Sequence, residues 1–271
     1  MRWKSASHYF FALTMIAVGI IGIFGPGSAG VWAGVPKSLP DQELLSYLCS
    51  FVALACGVGL LSRRTASAAA LVLLAYLVVW TVLFKLPLIV RHPFVEVAYQ
   101  TCGENAVMIA GAWALYVWFA KDAPNWKLRW PAGQSGLRAA HLLYGLALVA
   151  FGFSHFAYVN LTAPLVPSWL PGPVFWAYLT GAIYVIGGIA VVTGIAASLA
   201  AALSAFQIAV ITIVVWGPVI ASGHAAVPDL QETVLSWALT AAAWVVATSY
   251  ERSWLTRLAM GTFATRRLAR G

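Results

Sequence analysis

The stretch Val35-Pro36-Lys37-Ser38-Leu39-Pro40 returns 131 residues later as Val166-Pro167-Ser168-Trp169-Leu170-Pro171. The same register carries Tyr47-Leu48 onto Tyr178-Leu179, Gly57 onto Gly188, Pro87 onto Pro218, Gln100 onto Gln231 and Ala112-Trp113 onto Ala243-Trp244. Chance identities do not hold one register from Val35 to Trp113 at Pro, Gly and Trp, so the chain reads as a duplicated unit of about 130 residues. Two copies of one small architecture are what such a chain folds into. Any function then lies on one copy, on both, or between them.

Composition identifies the solvent. Hydrophobic residues make up 62% of the chain and charged residues 9%, where a soluble domain carries about 25% charged residues. With a mean hydropathy of +0.85, the chain cannot cover a water-facing surface and reads as an integral membrane protein. Apolar runs able to cross about 30 Å of hydrocarbon are expected at 9–24, 44–61, 66–90, 104–120, 139–156, 174–193, 197–220 and 233–250. That is four per copy. The first run has the marks of a secretory signal, with Arg2 and Lys4 before it and Ser28-Ala29-Gly30 after it. Its counterpart at 139–156 is internal and cannot be one, so the first run is read as retained.

Lys and Arg set the orientation. With a cytoplasmic N-terminus, Arg2, Lys4, Arg63, Arg64, Lys121, Lys127, Arg129, Arg138, Arg252, Arg257, Arg266, Arg267 and Arg270 are cytoplasmic, leaving only Lys37, Lys85 and Arg91 elsewhere. Asp41, Glu43, Glu96, Glu104, Asp229 and Glu232 fall on the outer side. The net charge of +8 therefore reflects topology and contact with anionic lipids, and no nucleic-acid partner is implied. An even number of spans per copy gives both copies one polarity. The expected fold is an all-α integral membrane protein with eight transmembrane helices in two parallel-oriented four-helix repeats, 1–121 and 139–250. A cytoplasmic linker, 122–138, carries Pro124, Trp126, Lys127, Trp130, Pro131 and Gly133, and a basic tail, 251–271, is expected along the inner surface as an amphipathic helix.

The run Gly152-Phe153-Ser154-His155-Phe156, the Pro-rich Val166 to Pro171, then Tyr178-Leu179-Thr180-Gly181 and Gly187-Gly188 resemble the DoxX-like group of four-helix membrane proteins. The second copy carries the resemblance over about 110 residues. The first has Gly25 near the place of His155 and Cys49-Ser50 in place of Thr180-Gly181. The group takes its name from a subunit of a thiosulfate:quinone oxidoreductase, and other members are associated with oxidative-stress complexes. The resemblance implies a multi-pass protein of the bacterial cytoplasmic membrane working as a quinone-interacting or electron-transfer subunit, and the Lys and Arg distribution places both termini in the cytoplasm. Lipids, a lipophilic quinone and a redox protein are the partners it implies.

Polar residues concentrate on the outer side of the first copy. Lys85 lies within Trp80-Thr81-Val82-Leu83-Phe84-Lys85-Leu86-Pro87, followed by Arg91-His92, Glu96, Gln100, Cys102 and Glu104-Asn105. Two readings of Lys85 stand: a lysine that snorkels to the interface, or the charged group of a site partnered by Glu96 or Glu104. The second copy holds Trp216, Ser222, Gly223, Val227 and Leu235 where the first has Lys85, Arg91, His92, Glu96 and Glu104. That divergence favours a single site. His155 is either an interfacial histidine bonded to a carbonyl or a donor and proton carrier for a quinone. The candidate chemistry thus rests on Lys85, Glu96, Glu104 and His155, with Arg91, His92 and Trp169 as candidate ligand contacts. The five histidines show no ligand spacing, so no metal site is read. A Cys49–Cys102 bridge and lone buried thiols are both open. A permease, for small molecules or lipids, or an assembly factor is the alternative from another class.

Overall fold

The computed structural model describes residues 5–24, 40–121 and 132–268, and among them every regular element is helical. The long helices are α1 (Ala6–Phe24), α2 (Gln42–Leu60), α3 (Ala66–Arg91), α4 (Glu96–Ala120) and α5 (Gln134–Ala157). They continue with α6 (Pro173–Thr193), α7 (Ala197–Ala221) and α8 (Val227–Leu268). A short turn of helix, Val159–Thr162, and a 3₁₀ turn, Ala163–Leu165, connect α5 to α6.

Seven of these are long and apolar enough to cross a membrane, α8 through its segment Asp229–Tyr250. The exception is α4, whose 25 residues suffice in length but include Glu96, Gln100, Glu104 and Asn105. Its residues from Gly103 to Ala112 are all buried. A helix enclosed on every side by protein is screened from lipid, and there such polar groups are tolerated.

Consecutive long helices pack against one another in a closed cycle that α8 completes on α1, and α4 also packs directly on α8. Lipid tails are as apolar as Leu, so close van der Waals approach holds such a bundle together. Glycine supplies the approach. A Cβ on Gly19 of α1 would fall 2.6 Å from Leu54 N, and one on Gly57 of α2 2.7 Å from Ile16 N. The pair α5–α6 repeats this contact, with 3.0 Å from Gly152 to Val185 N and 2.9 Å from Gly188 to Val149 N. Positions on α2 and α6 correspond at a separation of 131, and those on α1 and α5 at 133. Where α4 meets α8, a Cβ on Gly111 would lie 2.9 Å from that of Ala242, so two positions 131 apart touch each other.

Helices α3 and α7 share an irregularity. Thr81–Lys85 and Thr212–Trp216 form single π-turns, and Pro87 and Pro218 follow each by two residues. Proline lacks the N–H that would continue the ladder, and its ring collides with the carbonyl four residues back. Widening the preceding turn relieves the clash without ending the helix, and the Leu86 N–H reaches back to Thr81 O. Thr81 donates to Leu77 O at 2.7 Å and Thr212 to Ile208 O at 2.8 Å, the same hydroxyl bond entering both π-turns.

Three expected boundaries shift. Helix α4 begins at Glu96 rather than 104, and α8 at Val227 rather than 233, because their first turns are polar and hydropathy does not register them. Helix α5 begins at Gln134, so the end of the expected linker is helical. The basic tail is also helical to Leu268, but as a continuation of α8 rather than a separate surface helix. The three cysteines are free, with Cys49 and Cys56 buried. The first Val-Pro stretch (35–39), Trp32, Trp126, Lys127 and Trp130 lie outside the described residues.

Candidate functional site

The π-turn of α3 places Thr81 and Lys85 on a buried face against α4, where Glu104 and Asn105 are buried too. Asn105 Nδ2 donates to Thr81 Oγ1 at 3.0 Å. Because the Thr81 proton is already committed to Leu77 O, Thr81 can only accept from Asn105. That fixes the amide orientation and leaves Asn105 Oδ1, in a side chain with no exposure, without a donor. Lys85 is 7% exposed, and among the described residues it has neither a hydrogen bond nor an ion pair. Glu104 and Cys102 act on its ammonium electrostatically, without reaching contact.

Glu104 accepts from Gln100 Nε2 at 3.3 Å, one turn back on α4. Glu232 of α8 and Glu96 act on it through charge. The walls of this end are aromatic: Trp80 is buried with its ring 4.5 Å from that of Phe84, and Trp80 Nε1 has no acceptor. Buried polar atoms are paired in the great majority of proteins. Here the amide oxygen of Asn105 on α4 and the indole N–H of Trp80 on α3 are left over, near the unpartnered side chain of Lys85.

The corresponding place on α7 and α8 is complete in itself. Trp216 occupies the position of Lys85 and Ser236 that of Asn105, and Trp216 Nε1 donates to Ser236 Oγ at 3.0 Å. Thr212 also bonds Thr240 Oγ1 at 3.1 Å. At this place Trp216 and Ser236 pair with each other, whereas Asn105 Oδ1 and Trp80 Nε1 have no partner.

The remaining candidates disperse. Glu96 accepts from Ser154 of α5, with its second oxygen buried and unpartnered. His155, next in sequence, turns the other way: its Nδ1 lies 2.8 Å from Phe151 O, and its ring is 5.5 Å from Tyr184 of α6. Since one residue turns a helix by about 100°, Ser154 and not His155 faces α4. No interaction joins His155 to Lys85. Arg91 and His92 are exposed at the end of α3, and Trp169 is 70% exposed.

The sequence left Asn105 and Thr81 without a role, although Asn105 stands beside Glu104. At the opposite end of the bundle lie His8 and His141, 133 apart. His8 Nε2 bonds Leu60 O at 2.7 Å and His141 Nε2 bonds Ser249 Oγ at 2.7 Å. Both act as packing and hydrogen-bonding residues. Among the described residues no group of three or more His, Cys, Asp or Glu is placed to hold a metal. Compared with known proteins, the chain matches no family model, no curated protein and no solved structure.

Proposed function

We propose that this is a quinone-interacting protein of the bacterial cytoplasmic membrane. It is read as two parallel four-span units of the DoxX-like kind, α4 being the eighth crossing, with both termini cytoplasmic. The polar head of a lipophilic quinone occupies the Lys85 site, and a separate redox protein exchanges electrons with it. The carrying observation is the contrast between Lys85, buried without a partner, and Trp216, paired with Ser236 at the matching position. An unpaired buried charge is costly. Retaining it in one unit, when the other has a neutral, hydrogen-bonded solution, favours a ligand role over a packing role.

The residues fit such a head. Lys85 supplies donors, Asn105 Oδ1 an acceptor, and Trp80 and Phe84 an aromatic wall. When bound, a quinone head supplies two-electron, two-proton chemistry. The chain's own residues bind and orient it, and Glu104 stands within electrostatic reach as a proton-accepting group. Against the alternative of a permease, the Gly111–Ala242 contact brings the α4 and α8 backbones together between the two units.

The test is thermal unfolding of the detergent-purified protein with and without a short-chain quinone. Wild type is expected to gain stability and Lys85→Met to gain none. Equal gains in both proteins, or no gain in either, would overturn the proposal.

A further inference from the structure

Resting on the reading of a quinone site, we infer that the Lys85 site selects the reduced, hydroxyl-bearing form of its ligand, a hydroquinone, over the oxidised quinone. The inference comes from the direction of the unfilled hydrogen bonds. Thr81 gives its proton to Leu77 O and accepts from Asn105 Nδ2, so the open atom of Asn105 is an acceptor. Only a ligand that donates can satisfy an acceptor.

A quinone carbonyl answers Lys85 but leaves Asn105 Oδ1 unpaired, at the full desolvation cost of a buried acceptor. A hydroquinone hydroxyl both accepts from an ammonium and donates to an amide oxygen. Anionic heads such as phosphate or carboxylate fare worse than either. They bring no donor when ionised, and beside the ammonium they meet Glu104, on which Glu232 and Glu96 act in turn. Sites built to pair with a hydroxyl reject the analogue that lacks it, because their own buried groups are then orphaned. The second unit shows how the same place is closed when no ligand is wanted, through Trp216 and Ser236.

The experiment is anaerobic binding of a matched short-chain series to the purified full-length protein: the hydroquinone, its quinone and its dimethyl ether. Affinity is read by calorimetry or tryptophan fluorescence. The hydroquinone is expected to bind about tenfold more tightly than the quinone, one unpaired buried acceptor's worth. The dimethyl ether, which keeps the ring and loses the donors, should bind no better than the quinone. Asn105→Ser, which places the residue of Ser236 at the matching position, should erase the preference. A quinone as tight as or tighter than the hydroquinone, or an ether equal to it, would overturn the inference while leaving the site reading intact. Binding of none of the three overturns both. The ether comparison decides the matter even if the Asn105 variant fails to fold.

Discussion

A threonine hydroxyl has one proton, and at Thr81 that proton decides the polarity of the whole site. Once it is given to Leu77 O, the Asn105 amide has one usable orientation, and its buried oxygen is left without a donor. Lys85 adds a charge that no described residue contacts. Removing that charge should cost the fold little, because the second unit carries Trp216 there and an unpaired buried charge stabilises nothing. Lys85→Met is therefore expected to stay within about 1 kcal/mol of wild type in unliganded unfolding, checked by differential scanning fluorimetry. A loss of several kcal/mol would mean that Lys85 is a structural partner. Lys85 and Glu104 were legible in the sequence as charges in apolar surroundings. The division between Ser154 and His155 was not, because a sequence does not tell which of two adjacent helical residues faces which neighbour.

At the scale of elements, two prolines and a few glycines shape the bundle. Pro87 and Pro218 were visible as repeat markers, but their local consequence, a π-turn that brings Thr81 and Lys85 onto one buried face, depends on the helix continuing past them. In lipid it does so, since packing against neighbours compensates for the lost ladder bond. The glycine pair on α6 separates packing from propensity. A Cβ on Gly188 would fall 2.6 Å from Gly145 O, whereas one on Gly187 meets nothing within 4 Å. Gly188→Ala should destabilise the protein by about 1–3 kcal/mol through forced separation of α5 and α6. Gly187→Ala should be neutral or stabilising by up to about 1 kcal/mol. Thermal midpoints of the two variants in one detergent check this, and equal effects would refute the registered contact.

For the molecule as a whole, the proposed duplication pairs α1 with α5, α2 with α6, α3 with α7 and α4 with α8. The register of 131 was read from Pro, Gly and Trp between Val35 and Trp113. It hid the match of His8 with His141, because α1 and α5 correspond at 133. The boundaries of α4 were obscured by the polar residues that make it interesting, since hydropathy penalises a charged helix whether lipid or protein surrounds it. Two parallel units predict a labelling pattern for a membrane-impermeant thiol reagent. Arg64→Cys and Ile195→Cys, both exposed, should react from the cytoplasmic face, and His92→Cys and His224→Cys, also exposed, from the opposite face. Opposite faces for Arg64 and Ile195 would refute parallel polarity. In the function proposed above, duplication left one open site, in the first unit alone, for a lipophilic ring with a polar head. The most direct test is photolabelling of the membrane-embedded protein with an azido-hydroquinone, followed by peptide mapping. Adducts are expected on peptides from α3 and α4 around Lys85 and Asn105, and none on the matching stretches of α7 and α8. Equal labelling of both units, or labelling of α7 and α8 alone, would contradict it.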